Sequence, residues 1–152
     1  MFAQTYLSMF MNRLIKVLIY LSLIAQMVLT CLIICTKDIV PLHWNYKGDV
    51  DSMGSPYMML VLLVVSVGIV VLLENLKRKP ELNRLPANIK DYELAYNYTI
   101  KMLDYIELII TLIMTYICVS VYIGEMFVSI IYLLSACLLL ICAYYKIKIS
   151  RL

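Results

Sequence analysis

The chain has 152 residues, 64% of them apolar and 15% charged, with a formal charge of +3 and a mean hydropathy of +0.91. Soluble domains run at roughly 45–50% apolar and about 25% charged, so this composition excludes an ordinary water-soluble globule and points to a membrane. The small net charge gives no basis for a nucleic-acid partner, and four Gly with four Pro argue against a disordered chain.

About 20 apolar residues, rising 1.5 Å each, cross a hydrocarbon core of roughly 30 Å. The first such run is "LIKVLIYLSLIAQMVLTCLIIC", and it predicts a span over residues 14–36. Lys16 is its one charge, close enough to the start to snorkel. The run is too long for a signal-peptide core and no A-x-A-like site follows, so it reads as a permanent helix. Residues 37–56 form a polar connection, and residues 57–76 the second span. That span is rich in β-branched residues, which would favour a strand in water. An isolated strand in lipid leaves its backbone unpaired, so a helix is expected.

Residues 77–104 are too many for a turn, with Pro80 and Pro86 as expected helix stops. Beyond them Ile89, Tyr92, Tyr96, Ile100 and Leu103 recur at helical spacing. They predict an amphipathic helix that joins or bends into the third span. Such a helix rests on lipid headgroups or offers a face to a cytoplasmic protein partner. The third span covers residues 105–123 and the fourth 127–145, with only "GEM" between them. The expected fold is an all-α integral membrane protein: one membrane domain, four transmembrane helices, and a cytoplasmic amphipathic helix between spans 2 and 3.

Charge gives direction. Arg13 and Lys16 stand at the first span's start, six basic residues from Lys77 to Lys101 fill the second connection, and Lys146, Lys148 and Arg151 mark the tail. The first connection has only Lys37 and Lys47 against three aspartates. The positive-inside rule then puts both termini and the middle connection in the cytoplasm, and residues 37–56 outside. Asn97-Tyr98-Thr99 matches a glycosylation acceptor, but on the side where that chemistry does not act. Cys31, Cys35, Cys118, Cys137 and Cys142 all lie in apolar runs and read as small hydrophobes.

The outward connection carries "PLHWNYKGDVD", with the only His and only Trp of the chain. Pro41 fixes a bend and Gly48 permits a turn with positive φ, so the segment can fold back over the helix ends. Trp44 joins an apolar body to one N–H donor, which suits an interfacial anchor or one wall of a ligand pocket. His43 lies six and eight residues before Asp49 and Asp51, within reach of either across a turn. Four uses of it stand side by side: a His–Asp hydrogen bond closing the loop, a divalent metal held by His43, Asp49 and Asp51, acid–base chemistry, and exposed recognition. Elsewhere, Asp104 and Glu107 can share a helix face, with Glu107 pairing to Lys101 or lining a polar path. Glu125 in the short last turn is expected to be solvated or to approach the His43 loop.

Pro41, His43, Trp44, Gly48 and Asp51 match the pattern P-x-H-[FW]-x-x-x-G-x-x-D, and Ser55 follows where that pattern has a serine. In these residues and Asn45 beside them the chain resembles the DUF1648 family of bacterial membrane proteins, which includes SdpI-like immunity proteins. Pro56 stands where the family often has lysine, and the resemblance covers roughly the first half of the chain. It implies a bacterial cell membrane and a role in immunity or signalling. The leading expectation is a small binding or immunity protein whose outer loop meets a toxin, a peptide or a lipid-associated ligand. A membrane enzyme or metal protein centred on His43 and Asp51 is the alternative, and an ion or transport subunit, homo-oligomeric if it forms a pore, is a further one.

Overall fold

Long apolar runs that must pair their own backbone groups become helices, and a computed structural model shows how these are arranged. It describes residues 2–79 and 89–152, with side chains from residue 10 onward. The chain order is α1 (Phe2–Thr36), β1 (Val40–Trp44), β2 (Val50–Gly54), α2 (Met58–Arg78), α3 (Tyr92–Ile123) and α4 (Val128–Ser150). Among the described residues, four helices are long and apolar enough to cross a membrane. The expected stops at Pro80 and Pro86 lie outside the described residues.

Several boundaries differ from those expected. α1 has 35 residues, roughly 52 Å of helix, and so exceeds a hydrocarbon core of about 30 Å. α2 continues to Arg78, which moves Lys77 out of the connection and into the helix. α3 runs unbroken from Tyr92 through the expected third span, opened by Asp91, whose carboxylate accepts the Leu94 N–H at 2.9 Å. It ends at Gly124, whose φ of +89° gives the left-handed cap that turns the chain towards α4.

α1 and α3 run parallel and form the principal pair, with α2 antiparallel beside them. Ile15, Ile19 and Val70 make one core cluster; Ile33, Val40, Met59 and Val121 make another at the end of the bundle that carries the β-strands. α4 packs chiefly on α3, and much of its apolar surface remains exposed. Polar and ring contacts hold it at both ends, and Ile149 packs with Ala95 and Ile89. Tyr116 Oη exchanges hydrogen bonds with the backbone N–H and C=O of Phe127, and Tyr145 stacks on Tyr105 at 6.2 Å between ring centroids. In a bilayer such polar and shape-specific contacts would carry helix association, because lipid and leucine are equally apolar and burial alone does not join helices.

The expected polar loop contains an antiparallel hairpin, β1 paired with β2. Its strands lack clean alternation: Val40 and Pro41 are both buried, and register shifts occur on either side of His43. Each shift rotates the strand locally and breaks the period of two that marks a strand in sequence.

Candidate functional site

The hairpin is built from its turn outward. Asn45 Oδ1 accepts the N–H groups of Lys47 (2.8 Å) and Asp49 (3.1 Å), while its Nδ2 donates to Asp49 Oδ2 at 3.2 Å. Gly48 has φ of +93°, and a Cβ there would sit 2.6 Å from the Met126 carbonyl oxygen. Both facts require glycine: the conformation is left-handed, and the turn lies against the α3–α4 connection. Val40 and Trp44 then seat the hairpin on Ile33, Met59 and Val121. Ser55 is exposed beyond β2, and its Oγ accepts the Tyr57 N–H at 3.4 Å where α2 begins.

His43 Nδ1 lies 2.5 Å from Asp51 Oδ1, across the two strands. Both side chains are exposed, and an exposed pair of this kind contributes about 0–1 kcal/mol. Burying an apolar side chain is worth about 1.5–3 kcal/mol, so Val40 and Trp44 hold the hairpin down and the clasp only sets its shape. Asp49 faces Asn45 rather than His43, so His43, Asp49 and Asp51 do not converge. Glu125 is exposed in the neighbouring turn and forms no ion pair with His43. Leu42, Tyr46, Val50 and Met53 are exposed apolar side chains of the hairpin, with Tyr46 76% exposed.

At the opposite end of the bundle, Lys77 Nζ donates to Glu74 (2.8 Å), to Asp104 (2.7 Å) and to Glu107. Glu107 is 1% exposed and Asp104 3%. The expected partner of Glu107 is Lys101, nearly two turns away on its own helix. Lys77 is better placed because it comes from α2 and can sit between both carboxylates, with its backbone carbonyl accepting the Tyr96 hydroxyl. The three carboxylates lie within 4.8 Å of one another, the one metal-competent group among the described residues, but the ammonium occupies its centre. At an effective dielectric near 20, each contact contributes roughly 6 kcal/mol and each carboxylate repulsion about 3.5 kcal/mol, and one ammonium among three carboxylates leaves two negative charges in excess. The set therefore needs more positive charge, and Lys16 supplies some from α1, 3.9 Å from Glu74.

Between the two ends runs a polar seam. Ser22, Gln26 and Thr30 are buried at four-residue spacing on α1 and face α3. Gln26 Nε2 donates to the Thr111 carbonyl and to Thr115 Oγ1, each at 3.1 Å, and Thr111 Oγ1 donates to the Glu107 carbonyl at 3.0 Å. Gln26 Oε1, Thr30 Oγ1, Ser66 Oγ, Ser120 Oγ and Trp44 Nε1 are buried without partners. From Glu107 to Ser120 this seam extends roughly 20 Å along α3. It ends under the apolar cluster of Ile33, Val40, Met59 and Val121, so the hairpin's base closes it.

Lys77, Glu74 and Gln26 were not singled out by sequence reasoning. Glu74 and Lys77 are three apart on one span end, as are Asp104 and Glu107 on the next. Those two pairs, and the spacing of Ser22, Gln26 and Thr30, were the available signals. Neither a scan against protein-family models nor searches of curated proteins and solved structures returned a match, so the site rests on the residues described above.

Proposed function

We propose that the chain is a multi-pass protein of the bacterial cell membrane, with both termini cytoplasmic, that recognises an extracytoplasmic peptide through its β1–β2 hairpin. The charge distribution supports that orientation, because the basic segments lie at the Lys77 end and not at the hairpin end. The observation that carries the reading is a hairpin fixed in shape by its own turn and seat, yet exposing Leu42, Tyr46, Val50 and Met53. A two-stranded sheet leaves unpaired strand edges, which an extended peptide can join while its side chains meet those apolar ones. The resemblance of PLHWN…G…D to the DUF1648 family supports an immunity role, in which the peptide is a secreted toxin.

The test is survival. Cells expressing the wild type are expected to resist a secreted bacterial peptide toxin that kills the empty-vector strain, and Tyr46→Ser/Met53→Ser at equal expression to lose that protection. A variant that protects as well as the wild type sinks the hairpin assignment, and a wild type that protects against no toxin tried sinks immunity.

A second reading has its own observation, the buried unpartnered atoms between Glu107 and Trp44. Buried polar groups that lack protein partners recruit water, and a file of waters along α3 would carry protons towards Glu107. Proton uptake by liposomes holding the wild type and abolished in Glu107→Gln would favour it; uptake unchanged in Glu107→Gln rejects it.

A further inference from the structure

We propose that the cleft beside Lys77 binds the phosphodiester of an anionic phospholipid, with Arg13 and Arg78 as its principal ligands. The cleft has a volume of about 450 Å³ and is lined by both arginines, Lys16, Glu74, Lys77 and Asp104. That volume falls in the ~300–1,000 Å³ range of sites that enclose a small ligand.

Its cations are not equivalent. Lys77 is committed to three carboxylates, and Lys16 leans on Glu74. Arg13 and Arg78 are exposed and make no ion pair among the described residues. Four cations, Arg13, Lys16, Lys77 and Arg78, thus face three anions, Glu74, Asp104 and Glu107, leaving one positive charge. A phosphodiester carries one negative charge and brings the set to neutrality, whereas a divalent cation would add to the excess. Guanidinium groups present paired N–H donors that match two phosphate oxygens, and Asn12 adds an amide at the same rim.

Depth selects the source of the phosphate. Lys77 and Arg78 are the last residues of α2, while α1 extends ten residues beyond Asn12 to its start at Phe2. The cleft therefore lies at the end of the apolar stretch, where headgroup phosphates of an inserted protein are found, and basic pockets between helices on that side hold anionic headgroups. The inference rests on membrane insertion and is independent of hairpin recognition, which belongs to the other end of the bundle.

The full chain, purified in mild detergent and offered phosphatidylglycerol or phosphatidylcholine, is examined by native mass spectrometry. The wild type is expected to retain phosphatidylglycerol in preference. Arg13→Gln/Arg78→Gln should bind it roughly 30-fold more weakly, the loss for two basic residues at an anionic surface. Lys90→Gln/Lys146→Gln removes the same charge from exposed positions outside the cleft and should bind as the wild type does. Circular dichroism confirms that each variant is folded, and single Arg13→Gln and Arg78→Gln variants carry the test if the double variant is not. Equal retention of the two lipids, or undiminished binding by the arginine variants, overturns the proposal. Displacement of the lipid by excess inorganic phosphate overturns the lipid assignment in favour of a soluble phosphate.

Discussion

The residue with the most at stake is Lys77. It is 8% exposed and is the shared partner of three carboxylates drawn from two helices. Replacing it with methionine keeps the volume and strands the acids, and breaking a buried ion pair by removing one partner costs about 3–5 kcal/mol. Lys77→Met is therefore expected to unfold at markedly lower denaturant in micelles. Adding Asp104→Asn and Glu107→Gln to Lys77→Met should restore much of that loss, because the stranded charges go with the lysine. A triple variant no more stable than Lys77→Met would show that the cluster is not a coupled unit. All four residues stand in the sequence, but pairing by spacing within one helix does not join Lys77 on α2 to Asp104 and Glu107 on α3. Counting Lys77 with the basic connection hid it, since a lysine that marks orientation looks the same as one that reaches back into a bundle.

Among the elements, the hairpin is the one least legible in sequence and the most informative in structure. The four helices long and apolar enough to cross a membrane follow from hydropathy, because a 20-residue apolar run has few alternatives in lipid. The strands do not, because Pro41, successive buried residues and two register shifts remove the alternation by which strands are recognised. The residues of the turn were nonetheless readable: Gly48 occupies a position with φ of +93°, and the His43–Asp51 distance closes as their spacing allows. If Val40 and Trp44 seat the hairpin, then Trp44→Ala should cost towards the lower part of the roughly 3–5 kcal/mol typical of large aromatic truncations. Hydrogen exchange should quicken over residues 40–54 and stay slow in the centre of α3. Exchange unchanged in the hairpin would mean that the turn against Met126, and not Trp44, holds it. His43→Ala should change stability by no more than about 1 kcal/mol, as befits an exposed clasp.

At the scale of the molecule, the chain is organised as two polar ends joined by a polar seam. A shaped hairpin covers one end, a charged knot closes the other, and Ser22, Gln26 and Thr30 meet Thr111 and Thr115 between them. α1 and α3 carry that seam, whereas α4 contributes little to it and turns most of its leucines outward. Such a plan leaves the hairpin as the main surface at its end and ties it through α1 and α3 to the charged end. The central claim is that this hairpin faces out of the cell, where a ligand can reach it.

The most direct measurement is labelling of intact cells with a membrane-impermeant maleimide, in a background whose five native cysteines are replaced. Single cysteines are placed at Tyr46, on the hairpin, and at Lys101, near the charged end. The account predicts that Tyr46→Cys is labelled in intact cells and that Lys101→Cys is labelled only after the membrane is opened. Labelling of Lys101→Cys in intact cells with Tyr46→Cys protected would invert the topology and contradict it.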